Sequence, residues 1–300
     1  MSQLSRREFT ALAAVAAVAP FATSRRSSAA RAITAQDVID RIKQHIVVQW
    51  KPETLDAVKA GDPSTAVTGI VTTSLASLAV LQQAVKGRAN LVITTHPTFY
   101  SRAELKTPPA GRGGAPAGPD SVFAAKDDFI AKNNLVVFRL TDHWRLRQPN
   151  PAAAALADAL GWSKSTGANP ARFEIAAASL ETLAATVKKR LDIRGGIRVV
   201  GERQLQVRRV GLLPGSTPLA AALALLPEVD AIVAGEVREW ESVEYARDKV
   251  DGGEKKALIL IGRVVSEEAG MRACAAWLKP LVPEVPIRHI SAGDPYWRPA

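Results

Sequence analysis

Short, continuous apolar runs recur along the chain, and each is followed by a segment with the periodicity of an amphipathic helix. Four clear runs are NLVITT (90–95), NLVVFRL (134–140), VDAIVAG (229–235) and KALILIG (256–262). Strands that are apolar on both faces belong to sheets that helices cover on both sides. The alternation therefore predicts an α/β fold in which helices cover mixed sheets.

The strand–helix units are more numerous than one minimal α/β domain needs. With 300 residues, 47% of them hydrophobic, the chain can form a core in each of two domains. The element order of the second half is similar to that of the first. We therefore expect two similar α/β lobes, 33–150 and 151–300, and leave open whether they exchange C-terminal elements. Residues 106–120 (KTPPAGRGGAPAGPD) show no periodicity and indicate a mobile flap or an insertion.

Residues 1–32 stand apart from the predicted lobes. Paired arginines in SRREFT (5–10) precede the apolar run ALAAVAAVAPFA, and ARA (30–32) supplies small residues at a cleavage site. The run is shorter than the roughly 20 residues that span a bilayer. The pattern resembles a twin-arginine export signal, which predicts a periplasmic or otherwise exported protein without stable membrane association after signal removal. The alternative is an uncleaved basic anchor.

Composition excludes two classes of function. Cys274 is the only cysteine, so neither an intrachain disulfide nor a thiolate zinc site is possible. The formal net charge of +10 falls by four on signal removal, because residues 1–32 carry five arginines and one glutamate. The remaining basic clusters, KKR (188–190) and RR (208–209), lack interleaved aromatic residues. We therefore expect no nucleic-acid partner.

Polar side chains follow the predicted strands at the point where each strand ends. Ligands of open α/β sheets bind beyond the carboxyl ends of the strands, so we expect these side chains at one edge of the sheets. Imidazole combined with carboxylate suits zinc, iron or manganese better than calcium. The residues concerned are His96, Thr141, Asp142, His143, Ser216, Thr217, Glu236, Glu239, Arg263, Ser266, Glu267 and Glu268.

Each of the main candidates also has a purely structural alternative. His96 precedes Pro97 and can simply close the loop after its strand. Asp142 can cap a helix or a turn, and His143 can pack beside Trp144. Glu267 lies in the first turn of the last predicted helix, where a carboxylate is favourable without any metal. Spacing alone therefore leaves the metal site undecided.

Five stretches occur in the order GDPSTAVTGIVTT, NLVITTHP, GLLPG, VDAIVAGE and GRVVSEEAGM. In this order they resemble the Nif-three-like dinuclear-metal hexamer family, whose members are often labelled GTP cyclohydrolase type 2 homologues. The resemblance covers roughly residues 33–300. It implies two similar α/β lobes, a toroidal homohexamer, and two metal ions in a cleft that faces the central cavity. Hydrolytic activities are attributed to some members of that family.

Four of the six positions that match the family's metal ligands carry other residue types. The family has a histidine pair before the proline, a histidine and an aspartate after the third strand, and a histidine and a glutamate at the last strand–helix turn. In the same order, the matching positions here are Thr95, His96, Thr141, Arg145, Arg263 and Glu267. Because a guanidinium cannot ligate a metal, we expect the full dinuclear site to be lost.

Two functions remain open. In the first, a metal-dependent hydrolase-like enzyme holds at most one divalent ion (zinc, iron or manganese) on His96, Asp142 or His143, and Glu267, and acts on an unknown small molecule. The chain has no GxxxxGK[ST] loop, so we do not expect it to hydrolyse GTP.

In the second, a non-catalytic scaffold uses Arg145 and Arg263 to bind an anion such as a phosphate or a carboxylate. Thr95 and Glu236 are expected to line the cleft in either case. Whether the protein is an enzyme is therefore undecided at this point.

Overall fold

The computed structural model describes residues 32–101, 104–107, 120–162 and 169–297. The predicted export signal and most of the 106–120 loop lie outside these ranges. In the part of the chain that is described, no helix combines the length and the apolar character that crossing a bilayer requires. From Ala32 onward the chain forms one compact unit.

The apolar runs form strands whose positions are almost all buried. In chain order the strands of the described ranges are β1 Val58–Ala60, β2 Ile70–Thr73, β3 Leu91–Thr94, β4 Val136–Arg139, β5 Arg172–Ser179, β6 Arg198–Val200, β7 Gln206–Ser216, β8 Ala231–Glu236, β9 Ala257–Leu260 and β10 Ile287–His289.

Helices fill most of the connections between these strands. In chain order they are α1 Ala35–His45, α2 Leu78–Lys86, α3 Ser121–Lys132, α4 Asp142–Leu146, α5 Pro151–Leu160, α6 Leu180–Arg190, α7 Leu219–Leu225, α8 Glu244–Asp251 and α9 Arg263–Leu278, with a 3₁₀ turn at Leu226–Glu228 and a π-helical turn at Glu239–Val243. At the start of α1, Thr34 and Asp37 form a capping box.

The first sheet has the strand order β1-β4-β3-β2-β10. Strands β10, β2, β3 and β4 are parallel, and β1 is antiparallel to β4. Alternate residues of the central strands face two different cores, as the two-residue period of a strand requires. Ile70 and Leu91 belong to the core formed with α1 and α9, whereas Val71 and Val92 belong to the core formed with α2 and α3.

The second sheet has the order β5-β7-β8-β9-β6, with three parallel strands in the centre and an antiparallel strand at each edge. One face, with Val233 and Ile259, packs on α5 and α6. The other, with Ile232 and Leu258, packs on α7 and α8. Both sheets are thus covered on their two faces, which confirms the predicted α/β class with mixed sheets.

The last helix and the last strand connect the two sheets. Helix α9 follows β9 of the second sheet, yet its residues Met271, Cys274 and Leu278 lie in the core of the first sheet. Strand β10 then pairs with β2. The division of the sequence at residue 150 therefore does not coincide with the division between the sheets.

Candidate functional site

The carboxyl ends of the two sheets bring His96 and Glu267 into contact. His96 lies two residues after β3 ends at Thr94, and Glu267 lies in the first turns of α9, after β9. The ring Nε2 of His96 hydrogen-bonds with Oε2 of Glu267. Both side chains are only 3% exposed. The two residues come from different sheets, so this contact depends on the packing of the sheets against each other.

Each residue of this pair also accepts a hydrogen bond from an arginine. Nη2 of Arg263 donates to Nδ1 of His96 over 2.7 Å. Nη2 of Arg145, on α4, donates to Oε1 of Glu267. These four hydrogen-bonded side chains form the Arg–His–Glu–Arg network, which consists of Arg263, His96, Glu267 and Arg145.

The hydrogen bonds fix the protonation of the network. Arg263 can only donate, so Nδ1 of His96 accepts and the ring proton lies on Nε2, which donates to Glu267. Burial lowers the pKa of His96 below 6.5, assisted by the charges of both arginines and opposed by Glu267. Burial would raise the pKa of Glu267, but His96 and Arg145 outweigh it and lower that pKa from 4.5 to about 2.

The network therefore carries one surplus positive charge. Two guanidinium cations face one carboxylate and one neutral imidazole. In addition, Nε of Arg263 is buried and has no hydrogen-bond partner among the described residues. The cationic charge in this region is thus only partly compensated by the protein itself.

Gly215, in β7, lets the second sheet approach the network. Its φ of +81° lies in the left-handed region, and a Cβ there would lie 2.7 Å from Nη2 of Arg145 and 2.9 Å from Oε1 of Glu267. Its N–H donates to the Ser266 hydroxyl over 2.8 Å. The sequence contains this residue in the GLLPG stretch, but no local pattern reveals that its missing side chain leaves room for an ion pair.

We expect Gly215→Ala to lower the free energy of unfolding by about 1–3 kcal/mol, because it combines left-handed strain with a clash against the ion pair. Gly253→Ala is the matched control, since Gly253 has a φ of +87° and no atom within 4 Å of a built Cβ. Urea unfolding of both variants separates strain from clash. Equal losses in the two variants would show that the contact with the network contributes nothing.

The structure does not bring the four predicted metal ligands together, which corrects the predicted placement of Asp142 and His143. Oδ2 of Asp142 accepts from the Thr54 hydroxyl and from the Leu55 N–H, each over 2.8 Å. Nε2 of His143 accepts from the Lys51 N–H over 2.9 Å. Both side chains therefore hydrogen-bond to the segment 51–55 and not to His96 or Glu267.

A buried aspartate that the sequence reading missed holds this arrangement in place. The carboxylate of Asp56 accepts the backbone N–H groups of residues 141, 142 and 143, and it also accepts Nδ1–H of His143 over 2.8 Å. The ring of Trp50 stacks on His143 with 3.8 Å between centroids. Thr141 makes no side-chain cap, so Asp56 caps the start of α4, the helix that carries Arg145.

The two predicted cleft-lining residues lie near the network without joining it. Thr95 is buried, and its hydroxyl donates to the Ser74 carbonyl over 3.2 Å. Its own carbonyl accepts from the Thr141 hydroxyl. Glu236 ends β8 with an exposed side chain, and within the described residues no hydrogen bond or ion pair connects its carboxylate to the network.

The residues present do not fit the two-metal centre that the resemblance implies. Both ring nitrogens of His96 and both carboxylate oxygens of Glu267 are engaged by groups within the protein. Two of those groups are guanidinium cations, which repel a dication and cannot ligate it. Across the described ranges, no group of three or more His, Cys, Asp or Glu side chains is placed to hold a metal ion.

A cleft of about 320 Å³ opens beside the network. Arg145 reaches it with a side chain that is 33% exposed. The opposite walls come from the end of β7, the segment before β5, and the first turn of α7. Its lining residues are Arg145, Gln148, Asn150, Ala152, Ala153, Pro170, Ala171, Leu212, Leu213, Pro214, Ser216, Thr217, Pro218 and Ala221.

Comparison with solved structures shows the same fold over most of the chain. Staphylococcus aureus protein SA1388 is 15% identical with a TM-score of 0.68, and the match covers 89% of this chain and 99% of that one. A Bacillus cereus protein related to NIF3 is 13% identical with a TM-score of 0.66, covering 89% and 99%. The protein ybgI, of unknown function, is 21% identical with a TM-score of 0.64, covering 88% and 100%.

Sequence comparison finds a family match in the second half of the chain. Residues 148–295 match the model of the family described as Duf34/NIF3 (NGG1p interacting factor 3). A comparison with curated proteins gave no match. The chain therefore shares the fold of these solved structures, and its residues 148–295 match the Duf34/NIF3 family model.

Proposed function

We propose that this protein is a NIF3-fold binding protein that recognises a small anion at the cleft beside Arg145. The observation that supports the proposal most directly is the charge of the Arg–His–Glu–Arg network, which contains two guanidinium cations and one carboxylate. Export by the twin-arginine route is part of the proposal and rests on the SRREFT motif alone.

Arg145 is the residue suited to contact the anion. Only its Nη2 is used by Glu267, and among the described residues its side chain makes no other hydrogen bond. An arginine presents several donors in a fixed plane, so the remaining nitrogens can hold a carboxylate or a phosphate. Arg263 adds positive charge to the network through its hydrogen bond to His96.

Calorimetric titration with acetate and with inorganic phosphate at low ionic strength tests the proposal. We expect Arg145→Gln to weaken anion binding by about 10- to 100-fold, the range for loss of a charged hydrogen bond. Arg203→Gln is the matched control, because Arg203 carries the same charge on a side chain that is 82% exposed and pairs only with Glu181 across the described residues. Equal affinities of Arg145→Gln and wild type would contradict the proposal.

The same preparation tests the metal-dependent alternative. Protein purified without chelator is analysed by mass spectrometry for zinc, iron and manganese. We expect far less than one ion per chain, because Arg145 and Arg263 hold the two candidate ligands. A content near one ion per chain that is lost in His96→Ala would instead favour the metal-dependent enzyme.

A further inference from the structure

The cleft contains a single charged group. Among its lining residues in the described chain, Arg145 alone carries a charge, and Arg263 does not reach the cleft. The exposed side chains of Gln148 and Ser216 have no hydrogen-bond partner among the described residues, so their polar groups are available beside Arg145. One guanidinium with neutral neighbours is better suited to a singly charged anion than to a doubly charged one.

Two backbone N–H groups beside Arg145 are already engaged and are not free to bind a phosphate. Phosphate sites typically use several free backbone N–H groups in a row. Here the N–H of Gly215 donates to Ser266 over 2.8 Å, and the N–H of Thr217 donates to the Glu236 carbonyl over 2.9 Å. A planar carboxylate, which a single guanidinium can bind through two parallel hydrogen bonds, is better suited to these donors.

Apart from Asn150 and Thr217, whose side chains hydrogen-bond to backbone groups of the protein, the remaining walls of the cleft are apolar. They consist of alanine, proline and leucine side chains from α5, the segment before β5, the end of β7 and α7. A volume of about 320 Å³ lies at the lower end of ligand pockets.

From these observations we infer that the ligand is a small monocarboxylic acid with an apolar body. Its carboxylate lies on Arg145, and its body lies along the alanine, proline and leucine walls. This inference rests on the proposed anion-binding function and goes beyond it, since it specifies both the charge and the apolar portion of the ligand.

Calorimetry with acetate, butanoate, hexanoate and octanoate measures the contribution of the apolar body. We expect each added methylene to tighten binding about three- to fourfold, because burial of a methylene contributes a roughly constant free energy. Hexanoate should therefore bind about 100-fold more tightly than acetate. Hexanamide, which has the same body without the charge, should bind at least about tenfold more weakly than hexanoate.

Two phenylalanine variants of α7 locate the apolar body. Ala221 lines the cleft and is half-buried, whereas Ala220 is exposed on the same helix and lies outside the lining. Ala221→Phe places a larger apolar side chain in the cleft and leaves the residues of the Arg–His–Glu–Arg network unsubstituted. We expect it to weaken hexanoate binding at least about tenfold and to leave acetate binding within about twofold, whereas Ala220→Phe leaves both unchanged.

The outcomes separate this inference from the proposed function. If acetate and phosphate bind through Arg145 but affinity does not rise with chain length, the inference is wrong and the anion-binding function stands. Tighter binding of phosphate than of hexanoate, or equal hexanoate binding by Ala221→Phe and wild type, also overturns the inference. If no anion binds, both are overturned.

Discussion

Replacing Glu267 by glutamine is expected to lower the free energy of unfolding by about 3–5 kcal/mol at pH 7, because the change removes the buried carboxylate that pairs with Arg145 and His96. Glu267 is 3% exposed and accepts hydrogen bonds from both Arg145 and His96. Glu181→Gln is the matched control, since Glu181 pairs with Arg203 on an exposed surface. That change should stay within about 0.5 kcal/mol.

The effect of Glu267 should depend on pH in a defined direction. The pKa of Glu267 is lowered from 4.5 to about 2 in the folded protein, so the unfolded chain binds the proton first as the pH falls. Its contribution is therefore complete above about pH 4.5 and is lost progressively towards pH 2. The shift corresponds to about 3 kcal/mol.

Urea unfolding of wild type and Glu267→Gln at pH 7 and near pH 3 measures this dependence. The difference in stability between the two proteins should shrink at the lower pH. The double variant Arg145→Gln with Glu267→Gln should be less destabilised than the sum of its single changes, with a coupling of about 1–3 kcal/mol. Strict additivity would show that the two side chains do not depend on each other.

Replacing Asp56 by asparagine is expected to cost about 3 kcal/mol or more. The carboxylate of Asp56 is 4% exposed and accepts three backbone N–H groups and one imidazole N–H. An asparagine would keep one acceptor oxygen and turn an NH₂ group towards donors. The control is Asp62→Asn, in an exposed turn where Asp62 accepts the Ser64 N–H, and it should change stability little.

The Asp56 variant should also weaken anion binding, because Asp56 caps the helix that presents Arg145 to the cleft. We expect about a tenfold loss of acetate affinity, measured by calorimetry on the fraction that remains folded. Unchanged affinity, together with lower stability, would mean that Asp56 anchors the segment 51–55 alone and does not position Arg145.

Four central strands could be predicted because they are continuous apolar runs, but the edge strands β1, β5 and β10 could not. Strands β3, β4, β8 and β9 are buried at almost every position and coincide with such runs. Strand β5 contains many exposed or half-buried positions, and β1 and β10 have three residues each. Edge strands are defined by the neighbour they pair with, and this information is not local in the sequence.

The site was predictable to the extent that strand ends define it. His96 and Glu267 follow predicted strands, and the structure brings them together. Asp142 and His143 also follow a strand, but their side chains turn towards the segment 51–55 because Asp56, 86 and 87 residues earlier, accepts hydrogen bonds from their backbone N–H groups. A contact over such a separation leaves no periodic signal. The sequence therefore could not show that Asp142 and His143 bond to the segment 51–55 rather than to His96 and Glu267.

Strand β10 makes the order of synthesis matter for this protein. Its residue His289 pairs beside Thr72, 217 residues earlier in the chain. While the second sheet is being made on the ribosome, the edge of β2 that β10 later covers has no partner from its own sheet. An open strand edge invites pairing with other chains. The nascent protein should therefore depend on chaperone protection until translation has passed residue 289.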